Sequence, residues 1–329
     1  DVVPLIGLNR AIVKQGLKIL KNQNNLGIKT LVDICNINSN LSVYHIGYIL
    51  GPRINAGGRV GKSSHGANLL LNKDPKNVFK LASELNEYNK QRQLLEKQVL
   101  NEIDLLSKLQ FSDPVIIISS KNLHEGVIGI VASRLKDKYN KPVIIISITD
   151  KIGKASARSI VGFDIGAVIM AATQEDILLN GGGHKMAGGF SIKVENLDKF
   201  KNFVNKKFKD QDNIIIKDKS IYLDGAIAPP AINLDFFNKI NLLAPFGSGN
   251  PEPKFIIENL ISVNSKIVND QHVKSVLIGQ DGTKLKTMAF NAANNEIGAY
   301  LLNKDKKIFN IIGKLSLNEW KGASNVEFI

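Results

Sequence analysis

Apolar positions recur at helical spacing over the first third of the chain. Between residues 9 and 20 they repeat every three or four positions, which predicts a short helix. The same spacing from residue 75 to about 109 predicts one long helix, with two shorter helices broken near Asn89 as the alternative. The middle of that stretch, residues 86–93, is almost wholly polar, which indicates a rigid connector that crosses solvent between two domains.

The middle third alternates continuous apolar runs with amphipathic periodicity. Residues 115–119 and 142–148 are typical of buried strands, and residues 126–139 between them have the periodicity of a helix. This order predicts a βαβ unit with a parallel strand pair. The block continues with a strand at 155–160, a helix at 164–172, a glycine-rich turn at 181–184, a strand at 189–192 and a lysine-rich helix at 197–208.

The last third changes to short strands of β-branched and apolar residues. They lie at 221–227, 255–263, 273–278, 284–290 and 308–317, with short helices at 234–243 and 295–302. About five strands separated by turn signals predict a small barrel of the OB type. The fold class expected for the whole chain is therefore α/β plus β.

Composition indicates the charge of the partner. A chain of 329 residues is too long for one ordinary core, so two or three domains are expected. The formal net charge of +13 favours a polyanion, with nucleic acid first. Part of the lysine excess has another source, because the sequence is rich in Asn, Lys and Ile, as AT-rich coding produces.

The single cysteine, Cys35, excludes a disulfide within the chain and a cysteine-based metal site. No apolar run approaches the ~20 residues that a membrane-spanning helix needs. The chain begins at Asp1 without a basic and then apolar leader, and it stops inside an apolar alternation. We therefore expect a cytoplasmic protein, without a membrane partner, of which this sequence is a piece.

Two segments carry side chains suited to phosphate. Arginine pairs with phosphate oxygens through two parallel hydrogen bonds, and hydroxyls are common donors beside it. The residues are Arg53, Asn55 and Arg59 in the glycine-rich loop 51–59, and Ser156, Arg158 and Ser159 at the end of a predicted strand. An ordinary turn or strand end with surface arginines is the alternative for both.

The strongest local signal is the sequence Gly-Gly-Gly-His-Lys-Met-Ala-Gly-Gly at 181–189. So many glycines indicate a backbone that takes unusual dihedrals or admits a ligand. In this interpretation the amides of Gly181, Gly182 and Gly183 form an anion-binding concavity, and His184 donates to a phosphate or lies near a metal. A structural histidine is the alternative.

His124 is a weaker phosphate candidate. It precedes the predicted helix at 126–139, where free amides and the helix dipole attract anions, although the neighbouring Glu125 opposes an anion there. The other histidines are scattered along the chain, and a complete two-metal centre needs several carboxylate and imidazole ligands close together. The sequence therefore predicts no complete hydrolytic metal site within these residues.

Five segments together resemble the RecJ family of the DHH phosphoesterase superfamily, in that family's order. They are Asp1-Val2-Val3-Pro4-Leu5, 51–59, 124–134, 181–189 and 245–253. They cover essentially the whole chain, and their combination is highly specific. Two departures are Ser64-His65, where the family has an acidic residue, and Gly57-Gly58, where it more usually has a pair with alanine.

The resemblance implies four parts and a set of site residues. The parts are the C-terminal part of a DHH domain at 1–74, a connecting helix at 75–112, a DHH-associated α/β domain at 113–212 and a C-terminally truncated OB-fold domain at 213–329. Asp1 matches the family's last metal-binding aspartate, and His184 lies in a signature beside the catalytic cleft. Arg53, Asn55 and Arg59 match a loop that faces the cleft, while Ser156 and Arg158 match residues that hold a 5′ phosphate.

The function implied by the resemblance is 5′→3′ hydrolysis of single-stranded DNA in repair and recombination. The implied cofactor is Mn²⁺ or Mg²⁺, and the implied partners of this monomer are single-strand-binding protein or a RecQ-type helicase. Because the other metal ligands precede Asp1 in the family, we expect the isolated chain to be inactive.

Three other functions remain open at this point. One is a catalytically silent subunit that binds single-stranded DNA, and another is a phosphodiesterase for oligonucleotides or cyclic dinucleotides. Relatives of the latter kind generally lack the connector and the barrel. The related domain of alanyl-tRNA synthetase tails is remote, because the loop 51–59 and the barrel do not fit it.

Overall fold

The computed structural model describes residues 3–22, 24–38, 41–106, 113–211, 220–303, 307–320 and 323–329. Contacts divide the chain into a central unit, Gln23–Asp218, and a barrel unit, Asp1–Asn22 with Lys219–Ile329. Within these described ranges, no helix is both long and apolar enough to cross a membrane.

The two units contain helices and strands in the order expected for an α/β plus β fold. The helices are α1 Gly7–Lys21, α2 Leu26–Ile34, α3 Gly51–Ile54, α4 Gly57–Val60, α5 His65–Leu71, α6 Pro75–Leu106, α7 Ile128–Tyr139, α8 Ile165–Gln174, α9 Leu197–Gln211, α10 Leu234–Asn241 and α11 Glu296–Leu302. The strands are β1 Ile116–Ser120, β2 Val143–Thr149, β3 Ile152–Arg158, β4 Asn180–His184, β5 Ala187–Lys193, β6 Gly225–Ala226, β7 Phe255–Val268, β8 His272–Ile278, β9 Lys284–Ala289, β10 Phe309–Gly313, β11 Leu315–Trp320 and β12 Ala323–Phe328.

The long helix predicted from residue 75 is a single helix, α6, which confirms the first of the two alternatives. The interpretation of its polar middle as a solvent crossing was wrong, because one stripe of the helix is buried along most of its length. Asn89 and Glu96 are buried and Arg92 is nearly so. Residues of this stripe recur at intervals of three and four, as on one helical face. They are Val78, Ala82, Leu85, Asn89, Arg92, Glu96, Val99 and Ile103.

The central sheet has the strand order β1-β2-β3-β5-β4. Strands β1 and β2 are parallel and α7 lies between them in sequence, which confirms the predicted βαβ unit. One face of the sheet packs on α8 and α9 through Ala155, Ala157 and Phe190. The opposite face packs on α7 and on the end of α6 through residues such as Ile145. Strands β4 and β5 extend beyond the part that α7 covers.

Two glycine-rich segments differ from the sequence prediction. Residues 51–59 form the short helices α3 and α4 after a π-helical turn, His45–Leu50, rather than a loop. Residues 181–184 belong to β4, which pairs with β5 in a hairpin, rather than to a turn. Glycine suggests a turn when only the local sequence is considered, but at Gly51, Gly57 and Gly183 an added Cβ would lie within 2.8 Å of a backbone oxygen.

The barrel unit is a curved seven-stranded sheet with the order β10-β7-β8-β9-β12-β11, and β6 pairs with β7. The predicted strand at 221–227 is reduced to the two residues of β6, and the predicted strand at 308–317 is divided into β10 and β11. Residues 3–22, assigned from sequence to the first domain, contact this unit: the amide of Leu5 donates to the Ser248 carbonyl at 2.6 Å. The predicted domain boundaries themselves stay a prediction.

Substitution of Gly166 tests the close packing of α8 on β4. A Cβ at Gly166 would lie 2.9 Å from backbone atoms of Gly183 and His184. We expect Gly166→Ala to lower the free energy of unfolding by about 1–3 kcal/mol, because backbone must shift. Gly182→Ala is the matched control: its Cβ would meet nothing within 4 Å, and a change below ~0.5 kcal/mol is expected. Equal urea midpoints for the two variants would contradict this packing.

Candidate nucleic-acid interface

The open face of the central sheet brings several predicted residues together. Across β3, β5 and β4, Arg158 pairs with Ala187, which pairs with His184. In the same way Ser156 pairs with Gly189, which pairs with Gly182. Cross-strand partners point to the same face of a sheet, and strands lie about 4.8 Å apart. Arg158 and His184 are therefore on one face, with backbones roughly 10 Å apart.

The glycines of 181–189 divide between the two faces of the sheet. Gly181 and Gly188 point to the side of α8, where an added Cβ would lie 2.7 Å and 2.5 Å from side-chain atoms of Ile169. Gly182 points to the open face and has free space around it. The expected concavity of successive amides is replaced by an extended, paired strand. What the glycines provide is a bare sheet surface beside Arg158.

The first turn of α7 lies against Ser156 and Arg158. A Cβ at Gly129 would be 3.1 Å from Oγ of Ser156 and 3.2 Å from Nη2 of Arg158. Arg158 donates through Nη1 to Oγ of Ser156 at 3.1 Å and to the Ala157 carbonyl at 2.8 Å. The first amides of a helix have no partner within the helix, and its dipole is positive at this end. Hydroxyl, guanidinium and helix start together favour an anion.

Arg158 and Arg59 repel each other in this position. Burial lowers the pKa of Arg158 from its ordinary value, and the charge of Arg59 lowers it further. Arg59 is exposed and donates to the Gly126 carbonyl at 3.2 Å. Within the described ranges, neither arginine has a carboxylate at ion-pair distance. A bound anion would offset both the desolvation of Arg158 and the repulsion between the two arginines.

A buried carboxylate, Glu96, organises the neighbouring arginines. Its side chain is 2% exposed, and Oε2 lies 3.1 Å from Nη1 of Arg92 while Oε1 lies 2.5 Å from Nε of Arg134. Burial lowers the pKa of Arg92, Glu96 opposes this, and three further arginines lower it again. We call the interacting set the arginine cluster; it comprises Arg53, Arg59, Arg92, Arg134 and Arg158.

Arg92, Glu96 and Arg134 were missed in the sequence. Their segment was interpreted as solvated because most of its residues are polar. The signal that could have found them is the spacing: Asn89, Arg92 and Glu96 continue the same three-and-four repeat as the apolar residues on both sides. A polar residue on an apolar stripe predicts a buried polar contact rather than a solvated face.

Three other predicted phosphate ligands, Arg53, His124 and Asn55, lie in different surroundings. Arg53 donates through Nε to Oδ1 of Asn86 at 2.9 Å and through Nη1 to the Ile49 carbonyl at 2.7 Å. His124 is exposed, and its Nδ1 accepts from the Gly126 amide at 3.1 Å. Asn55 is exposed directly after α3.

Ser159 is separated from Ser156 and Arg158. Its hydroxyl is buried and donates to the Phe163 carbonyl at 2.6 Å. Ser159 follows the strand and has the opposite parity from Ser156 and Arg158, so it faces the α8 side. The structure does not bring this predicted phosphate ligand to the open face.

The described residues do not form a metal centre. Among them, no three His, Cys, Asp or Glu side chains lie close enough to hold an ion. Asp1, the predicted metal ligand and catalytic residue, lies outside the described residues. His184 is exposed at the end of β4.

Comparison with known proteins gives the family. A model of the DHHA1 domain matches residues 112–210, and a model of the RecJ OB domain matches residues 223–329. The single-stranded-DNA-specific exonuclease RecJ of Bacillus subtilis is 30% identical over 343 aligned residues that include all of this chain. The chain belongs to the RecJ family. This confirms the DHH-associated domain and the OB fold predicted from sequence.

Further RecJ proteins support the same assignment. The RecJ exonuclease of Haemophilus influenzae is 32% identical across all of this chain. The crystal structure of RecJ in complex with Mg²⁺ from Thermus thermophilus superposes with a TM-score of 0.84 at 27% identity, also across all of this chain. A Mn²⁺ complex of the Thermus protein matches equally well, so members of the family bind divalent metals.

The chain spans only part of these relatives. It covers 42% of the Bacillus protein, 59% of the Haemophilus protein and 49% of the Thermus crystal chain.

Glu96 and Glu125 offer a matched pair of substitutions. Glu96→Gln leaves the nearly buried Arg92 without its carboxylate partner, so we expect a loss of about 3 kcal/mol in the free energy of unfolding. Arg134 adds little to this loss, because its side chain is 61% exposed. Glu125 pairs at the surface with Lys154 at 2.9 Å, and Glu125→Gln should cost less than about 1 kcal/mol. Urea unfolding of both variants measures the difference. A Glu96 variant as stable as the Glu125 variant would remove Glu96 from its organising role.

Proposed function

We propose that the chain forms the DNA-holding part of a 5′→3′ exonuclease for single-stranded DNA, which works by metal-dependent phosphodiester hydrolysis. The proposal rests on one observation above all. Ser156 and Arg158 lie under the first turn of α7, beside a sheet face that Gly182 and Gly189 leave bare. The relatives named as single-stranded-DNA-specific exonucleases support the reaction.

The charge of the site favours a strand terminus over an internal phosphate. A terminal phosphate monoester carries about −1.5 to −2 at neutral pH, whereas an internal diester carries a single negative charge. The arginine cluster has five guanidinium groups, and Glu96 is the carboxylate paired with two of them. Arg158 therefore holds the 5′ phosphate in this proposal, and Arg59 and Arg53 hold the phosphates that follow.

The barrel unit contributes a second basic face. Lys266 pairs with Lys274, and Val276 pairs with Lys286, so the three lysines lie on the outer face of β7, β8 and β9. Phe290 is exposed at the end of this face and contacts His272 edge to face. Cations beside an exposed ring are suited to single-stranded DNA. Tyr222 is also exposed, whereas the side chain of Trp320 lies outside the described residues.

The connector and the barrel favour this function over the phosphodiesterases of short substrates. The connector corresponds to the 32-residue helix α6, and the barrel corresponds to residues 223–329, which match the RecJ OB domain. A silent DNA-binding subunit would use the same surfaces, and the metal ligands of the whole protein separate the two functions.

We infer the metal, the roles of Asp1 and His184, the cellular role and the partners from family membership. The whole protein uses Mn²⁺ or Mg²⁺, with Asp1 as a ligand and His184 beside the reacting phosphate. It acts as a cytoplasmic monomer in DNA repair and recombination, together with single-strand-binding protein or a RecQ-type helicase.

Arg158→Ala tests the terminal-phosphate assignment. Loss of charge-assisted hydrogen bonds worth roughly 1.5–3 kcal/mol should weaken binding of 5′-phosphorylated DNA about tenfold or more. Binding of the same DNA with a 5′ hydroxyl should change much less. Fluorescence anisotropy at fixed salt measures both affinities. Lys154→Ala is the control, since Lys154 is on the same strand and face but pairs with Glu125. Equal losses on both DNAs would remove the assignment.

The lysines of the barrel face predict a change in salt dependence. Single-stranded DNA binding loses about 0.7 of the log–log salt slope for each phosphate contact removed. Lys266→Ala and Lys286→Ala should each reduce the slope by about this amount, whereas Lys274 lies 3.9 Å from Glu327. Lys239→Ala on α10, where Lys239 pairs with Asp235 at 2.8 Å, should leave it unchanged. Unchanged slopes for all three variants would exclude this face from DNA binding.

A further inference from the structure

An exposed pair of tyrosines lies just before the first arginine segment. Tyr44 and Tyr48 stack on each other with ring centroids 5.3 Å apart and an interplanar angle of 26°. The side chains are nevertheless 60% and 74% exposed. Tyr44 also contacts His45 edge to face. Two large rings are thus ordered against each other on the surface rather than packed in a core.

Exposed aromatic rings in this arrangement present flat π surfaces to a ligand. Aromatic side chains usually bury most of their area, so an ordered exposed pair is a feature of binding surfaces. The rings lie on the π-helical turn His45–Leu50 and the residue before it. Irregular turns of this type are frequent at functional sites.

The tyrosine pair is connected directly to the arginine cluster. The helical path continues from the π-helical turn into α3, because Gly51 has helical dihedrals of −57° and −45°. Arg53 lies five positions after Tyr48, which corresponds to roughly 7 Å along a helix axis. Arg53 donates back to the Ile49 carbonyl, so its position is fixed relative to this turn. Tyr48 therefore lies within two helical turns of Arg53, one of the cations of the arginine cluster.

We propose that Tyr44 and Tyr48 are a stacking site for unpaired nucleobases of the strand whose phosphates the arginine cluster binds. The inference rests on the proposed function and adds a preference for unpaired bases to it. Bases stack on aromatic rings whatever their identity, so the site accepts any sequence. A paired duplex has its base faces covered by neighbouring bases, so the site selects single strands.

The test compares a 5′-phosphorylated oligonucleotide with an abasic one of the same length and terminal phosphate. The wild-type chain should bind the base-bearing strand more tightly. The double variant Tyr44→Ala with Tyr48→Ala should lose about tenfold or more on that strand. It should lose little on the abasic strand, because the phosphate contacts remain.

Two further variants control for structure. Tyr48→Phe keeps the ring and should bind as the wild type does. Phe79→Ala removes another exposed ring, 61% exposed on α6, and should leave both affinities unchanged. Circular dichroism of the double variant should match the wild type, since both tyrosines are at the surface.

The outcomes separate the stacking site from the proposed function. Normal wild-type binding with an unaffected double variant, or equal losses on both strands, would overturn the stacking site alone. The tyrosines would then be a packing surface for another protein segment. Failure of the wild-type chain to bind either strand would overturn the proposed function and the stacking site with it.

Discussion

Two arginines of the central unit depend on one buried carboxylate for their position. Glu96 is on α6 and bridges Arg92 of the same helix to Arg134 of α7. Because Arg92 is nearly buried, removal of Glu96 would leave the charge of Arg92 without its partner. The remaining arginines of the cluster receive no comparable compensation within the described residues, and burial with mutual repulsion lowers the pKa of Arg158. The described part of the central unit therefore has an excess of positive charge at these arginines.

The second feature of this site is a sheet surface without side chains, which the glycines of the β4–β5 hairpin form. Glycines that face α8 let that helix approach the sheet, while Gly182 and Gly189 on the other face leave room beside Arg158. A side chain at either of those two positions would stand between the sheet and a phosphate. One glycine-rich segment thus allows close packing on one face and leaves the other face bare, which explains its density of glycine better than a turn does.

Much of the fold was predictable because it follows from periodicity. The 32-residue helix α6, the parallel pair β1 and β2 and the barrel strands β7, β8 and β9 follow from apolar spacing. The errors have physical causes of a different kind. Glycines at 51–59 and 181–184 suggested a loop and a turn, whereas the first segment forms α3 and α4 and the second pairs with β5 as a strand.

The site was predictable only in part. Ser156 and Arg158 share a face by strand alternation, and the same rule would have separated Ser159, whose hydroxyl is buried. The bridge from Glu96 to Arg134 joins two helices far apart in sequence, so no local pattern contains it. The most direct test of the account is a crystal structure of the 329-residue chain with a 5′-phosphorylated oligothymidylate. The terminal phosphate should accept hydrogen bonds from Arg158 and Ser156 on the bare face of Gly182 and Gly189. A phosphate bound elsewhere, with Arg158 still donating to its own strand, would contradict it.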